Sequence, residues 1–245
     1  DPAFKGKEDE IIKKAKESMV CKIITSGFDI PSSEDALALA QNYDNVFCSI
    51  GVYPEFADSY DNNAENLLFN MAKNKKVVAI GEIGLQYTDD CPSHDKQKEV
   101  FIKQLHLACR ANLPIVIHCR EAYGDMINIL RSNRDLIKFG GTLHCYSGCY
   151  EIAKEAIKLG LYISVGGVST FKNASIVKEM LSKVPLESII LETDCPYLAP
   201  HPYRGSLNMP SYIPTIAQNL AEIKGVDIER VAEITTKNAQ TLFKI

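Results

Sequence analysis

The chain alternates short apolar runs with longer stretches whose apolar residues recur at helical spacing. The apolar runs cover residues 21–25, 46–50, 77–80, 114–117, 141–143, 161–165 and 188–191. Their starts lie roughly 20 to 40 residues apart, the length that a strand and a returning helix require. The intervening segments 8–19, 33–42, 63–73, 94–111, 122–131 and 150–159 show helical spacing with charged faces. The runs are apolar almost throughout rather than at every second residue, as suits parallel strands buried on both faces. Seven such units can be counted, and residues 8–19 form the helix that would follow an eighth, N-terminal strand. The pattern predicts an α/β fold, a TIM-type (β/α)8 barrel forming a single domain over residues 1–245, with the first strand absent from this sequence. An open, doubly wound sheet is the alternative. Against it, Thr25-Ser26-Gly27-Phe28-Asp29 stands where a Gly-rich dinucleotide turn would follow the first visible strand. The Pro-rich piece from Pro196 to Pro214 is the longest irregular segment, and it follows the last strand.

Composition narrows the class without changing the fold. The 245 residues are 46% hydrophobic, enough for one substantial core. Lys and Arg number 27 against 31 Asp and Glu, a net charge of −4, which excludes a wide basic surface for nucleic acid and leaves any phosphate grip local. No apolar run approaches the ~18 residues of a membrane span, and Asp1-Pro2-Ala3-Phe4-Lys5-Gly6-Lys7 has no signal-peptide pattern. A soluble, cytoplasmic protein with no membrane contact, a monomer or weak oligomer, is expected. Of the eight cysteines, Cys21, Cys48, Cys109, Cys119, Cys145 and Cys195 sit mostly in or beside apolar runs and form no CxxC pair, so reduced, packed thiols are expected.

The polar residues that close the apolar runs carry the chemistry. Glu82, His118, His144 and Asp194 each follow a strand-like run. In a barrel such ends converge on one face, where active sites of this architecture lie. Alone, a His there is a hydrogen-bonded rim residue and a carboxylate is a helix cap. Four together predict a shared mixed N/O metal site suited to zinc, manganese or another first-row divalent ion, with magnesium an option if carboxylates and water dominate. His201, in the Ala199-Pro200-His201-Pro202 loop, is placed to reach substrate, whereas His94 and His106 belong to a charged, solvated helix. Glu192, two residues before Asp194, has two equal readings, a structural ion pair or a role in the site.

Five segments go further: Gly81-Glu82-Ile83-Gly84-Leu85, Val116-Ile117-His118-Cys119-Arg120, Leu143-His144-Cys145-Tyr146-Ser147-Gly148, Leu191-Glu192-Thr193-Asp194-Cys195-Pro196-Tyr197 and Pro202-Tyr203-Arg204-Gly205. In order and from end to end, they resemble the motifs of TatD-type metal-dependent DNases. The resemblance implies an amidohydrolase-like barrel with a binuclear site that hydrolyses phosphodiester bonds of DNA, often from 3′ to 5′ at single-stranded ends. Carried over by position, Glu82 would bridge the metals, His118 and His144 would hold one ion, and Asp194 would bind the other and orient the attacking water. Arg120 and Arg204 would contact phosphate. The family opens with a His-x-His motif on its first strand, and this sequence starts at Asp1-Pro2-Ala3-Phe4, so truncation is the simplest expectation. Tyr53, Gln86 and Met209 stand where the family usually has His, Asp and Glu in its substrate cleft.

The resemblance thus implies divalent ions that activate water and neutralise charge on the phosphoryl oxygens, with Asp194 as proton acceptor and Glu82 as ligand. Two rivals stay open: a hydrolase of the same fold acting on an amide, lactone or aminoacyl ester, and a non-catalytic barrel if the His-x-His strand is lost.

Overall fold

The computed structural model describes residues 2–245 and has seven strands and nine α-helices among them. The strands are β1 (Ile23–Ser26), β2 (Val46–Ile50), β3 (Val77–Gln86), β4 (Ile115–Arg120), β5 (Gly141–Leu143), β6 (Leu161–Val165) and β7 (Ile189–Leu191), following one another in sequence order. The helices are α1 (Glu8–Glu17), α2 (Ile30–Asn42), α3 (Asn62–Met71), α4 (His94–Ala111), α5 (Tyr123–Ser132), α6 (Tyr150–Lys158), α7 (Ser175–Lys183), α8 (Ile213–Lys224) and α9 (Ile228–Phe243). This is the α/β succession of a (β/α) barrel fold. None of the helices among the described residues is long and apolar enough to cross a membrane.

Contacts divide the chain into two compact units. The larger, residues 22–144, 155–162 and 240–245, contains β1 to β5 with α2 to α5. Its strands pair in parallel, β1 with β2, β2 with β3, β3 with β4 and β4 with β5. Nine of the ten residues of β3 are buried, as expected of a parallel strand covered on both faces. The smaller unit, residues 2–21, 145–154 and 163–239, pairs Ile163–Val165 of β6 in parallel with β7 and carries α1, α7 and α8.

Several boundaries differ from the sequence reading. β3 was expected to stop at Ile80 but continues to Gln86, so Glu82 lies within the strand and Gln86 closes it. Past a break in register between Ile80 and Ile83, where the Glu82 N–H donates to the Gly27 carbonyl oxygen at 3.0 Å, residues Ile83–Gln86 pair again in parallel with Ile117–Arg120 and so continue the strand. Likewise β4 extends through His118 to Arg120. Helix α2 begins three residues before the expected Ser33, because Asp29 caps it by accepting from the Ser32 N–H at 2.8 Å and Pro31 fits its first turn. The irregular stretch from Pro196 ends in a 3-10 turn, Pro210–Tyr212, and α8 starts at Ile213 with Pro214 in its first turn. All eight cysteines are free thiols, but Cys21 and Cys149 are exposed, so the expectation of packing fails for Cys21.

Candidate functional site

Two glycines let β3 run close against β4 at the centre of the larger unit. A Cβ on Gly81 would stand 2.5 Å from Val116 Cβ, and one on Gly84 would collide with the His118 carbonyl oxygen. Gly84 also adopts φ +145°, which L side chains rarely take. Between them Glu82 projects from the strand, and Gly84 is registered opposite His118.

Glu82 and His144 meet. His144 Nε2 lies 3.3 Å from Glu82 Oε1, with side chains only 12% and 17% exposed respectively. The His144 backbone is pinned to β4 by its N–H donating to the Ile117 carbonyl oxygen at 2.8 Å. Two donor atoms bound at ~2.1 Å to one tetrahedral ion stand ~3.4 Å apart, so this carboxylate–imidazole pair fits a divalent metal as two of its ligands. Among the described residues, no group of three or more His, Cys, Asp or Glu side chains is gathered as a ready-made metal cluster.

His118 is held by its neighbours along its Nε2 edge. Its Nε2 lies 2.9 Å from the Tyr53 hydroxyl and 3.0 Å from Gln86 Oε1, and its ring packs against Tyr53 with centroids 4.5 Å apart. The Tyr53 hydroxyl donates to Gln86 Oε1 at 2.7 Å, and Gln86 Nε2 donates to Glu55 Oε1 at 2.6 Å. The two family departures Tyr53 and Gln86 are therefore in direct contact. Gln86 is buried, 5% exposed, rather than lining an open cleft. Sequence reasoning did not pair Tyr53, Glu55 and Gln86 with His118. The available signal was strand alternation, which puts Glu82, Gly84 and Gln86 on one face.

The remaining predicted residues divide between the two units. Arg120 is exposed at the end of β4, and its carbonyl oxygen accepts from the Tyr87 N–H at 3.0 Å. In the smaller unit Asp194 lies beyond β7, its carbonyl oxygen accepting from the Tyr197 N–H at 2.7 Å. Glu192 Oε2 accepts from the Ser164 hydroxyl at 2.7 Å, which ties it to β6. His201 is exposed, and its N–H donates to Thr170 Oγ1 at 2.8 Å. Arg204, also exposed, lays its guanidinium 4.1 Å from the centroid of the Phe171 ring. Met209 is half-buried, its N–H donating to Asn208 Oδ1 at 2.9 Å. His94 and His106 are exposed as expected, although His94 stacks on Tyr87 at 3.6 Å.

Two cysteines flank these residues but offer no thiolate. Burial pushes the Cys119 thiol up to about 12, against a lowering hydrogen bond from the Ala122 backbone. Burial also raises Cys195, next to Asp194. Both stay protonated at neutral pH.

The family model for TatD related DNase matches residues 1–244. The chain belongs to that family. Among its relatives, the uncharacterized metal-dependent hydrolase YabD of Bacillus subtilis is 42% identical over 239 residues, covering 97% of this chain and 92% of YabD. The 3′-5′ ssDNA/RNA exonuclease TatD of Escherichia fergusonii is 30% identical over 247 residues, covering 99% of this chain and 95% of that one. The crystal structure of YJJV, a TatD homolog from Escherichia coli, superposes with a TM-score of 0.94 at 30% identity, covering all of this chain and 95% of its own.

Proposed function

We propose that this TatD-family chain is a divalent-metal-dependent hydrolase that cleaves phosphodiester bonds of DNA, working from 3′ to 5′ on single-stranded ends. The observation that carries the reading is the Glu82–His144 pair, a carboxylate and an imidazole at ligand-to-ligand distance with both side chains mostly buried. A relative named as a 3′-5′ ssDNA/RNA exonuclease supports the substrate class. Glu82, His118, His144 and Asp194 would hold the divalent ions, zinc, manganese or magnesium. When bound, such ions acidify a water and polarise the phosphate.

The chain's own groups do the rest. Tyr53 and Gln86 hold the His118 ring by its Nε2 edge, the outer support commonly given to metal-binding imidazoles. Asp194 accepts the proton released by the attacking water. Arg120 and Arg204 contact phosphate, and His201 the substrate, which gives a short footprint on a strand end suited to a net charge of −4. The eight free thiols fit a reducing, cytoplasmic compartment.

A second reading, hydrolysis of a different ester or amide, is favoured by the uncharged Tyr53–Gln86 pair beside His118. The deciding experiment incubates 3′-labelled single-stranded DNA with chelator-treated protein, then restores Mn2+. Release of labelled nucleotide only after metal addition, and its loss in Asp194→Ala, supports the nuclease. Metal-dependent turnover of ester substrates with intact DNA would establish the second reading instead.

A further inference from the structure

The hydrogen bonds around Gln86 determine where the proton of His118 sits. A carboxylate only accepts, so Glu55 Oε1, 2.6 Å from the Gln86 amide nitrogen, fixes which way that amide points. The amide nitrogen also reaches Thr88 Oγ1 at 3.3 Å, on the same side. Gln86 Oε1 is thereby turned toward His118 Nε2 at 3.0 Å and the Tyr53 hydroxyl at 2.7 Å. A carbonyl oxygen donates nothing, so the imidazole nitrogen facing it must carry hydrogen. The phenol has one proton, spent on Gln86 Oε1, and its oxygen faces the same Nε2–H at 2.9 Å. The His118 ring also packs against Tyr53, with centroids 4.5 Å apart.

From this geometry we infer that Glu55, Gln86 and Tyr53 act as one positioning unit that locks neutral His118 in the Nε2–H tautomer. The Nδ1 lone pair is then the one that His118 offers as a ligand, a consequence that rests on the metal reading above. Tyr53 and Gln86 are in this view joined through Gln86 Oε1, which faces both the Tyr53 hydroxyl and His118 Nε2, rather than two independent losses of family residues.

The test is histidine-labelled nitrogen NMR on the full metal-free chain, at one pH where imidazoles are neutral, with His118 assigned by its disappearance in His118→Gln. The wild type is expected to show the proton on Nε2. Gln86→Met, similar in shape but without the acceptor, releases the ring to a mixture of tautomers and weakens Mn2+ binding by about 10- to 100-fold in calorimetry. Gln86→Glu, which keeps an acceptor, retains the tautomer, and so does Tyr53→Phe, which keeps Gln86. A wild-type His118 protonated on Nδ1, or a Gln86→Met protein with unchanged tautomer and Mn2+ affinity, overturns the inference. An Nε2–H tautomer in a wild type that binds no Mn2+ upholds the proton placement and overturns the metal reading. Mn2+ binding with the proton on Nδ1 does the reverse.

Discussion

The strands of the larger unit and the loop after β7 in the smaller unit carry their predicted functional residues in opposite ways. Glu82 and His144 are 17% and 12% exposed and sit on backbone that is hydrogen-bonded to its neighbours. Past β7, Tyr197 is 64% exposed and Tyr203 and Leu207 are each 42% exposed, with His201 and Arg204 exposed among them. Chemistry that needs fixed distances suits strands and the residues that directly follow them, where packing over-determines each side chain. Recognition that tolerates variation is placed on a loop, where residues can change without disturbing a core.

If that division holds, changes on the strands should cost far more than changes on the loop. The largest effect is expected for His144→Ala, which should lower the rate of DNA hydrolysis on the order of 10²-fold or more while leaving the melting temperature close to wild type. A mild loss in steady-state kinetics would break the comparison at its strongest point. Gly84→Ala comes next, because its added Cβ meets the His118 carbonyl oxygen at a φ that favours glycine. Denaturant unfolding should show a loss of about 2–3 kcal/mol, with activity falling as His118 is displaced.

Changes in the loop past Asp194 should then act on binding alone. Arg204→Ala is expected to raise KM several-fold across DNA sequences with kcat nearly constant, and to reduce the salt slope of binding by about 1. The smallest effect belongs to Tyr197→Ala, which should shift stability by less than about 0.5 kcal/mol. A thiol-labelling experiment sharpens the same contrast. Iodoacetamide at pH 8 should modify exposed Cys21 and Cys149, whereas Cys119, its thiol pushed up to about 12 by burial, reacts only after unfolding.

The sequence made some of this legible and hid the rest for identifiable reasons. β2, β5 and β6 have the limits that their apolar runs predict. β3 read as shorter because Gly81, Glu82 and Gly84 interrupt its apolar run, yet those are the residues that let it pass close to β4. Helices α7, α8 and α9 lie outside the segments in which helical spacing was read. At the site, Glu82 and His144 were legible as polar residues closing apolar runs. The contact of Tyr53 with Gln86 was not, because it joins the loop after β2 to the last residue of β3 across an irregular register that no local pattern encodes.

The most direct test of the central claim, that the Glu82–His144 pair is the heart of a metal-dependent nuclease centre, is Mn2+ calorimetry and DNA hydrolysis measured together on wild type and Glu82→Ala. Wild type is expected to bind Mn2+ and release nucleotides from single-stranded DNA, and Glu82→Ala to stay folded but lose both. Unchanged Mn2+ binding and hydrolysis in Glu82→Ala would contradict the account.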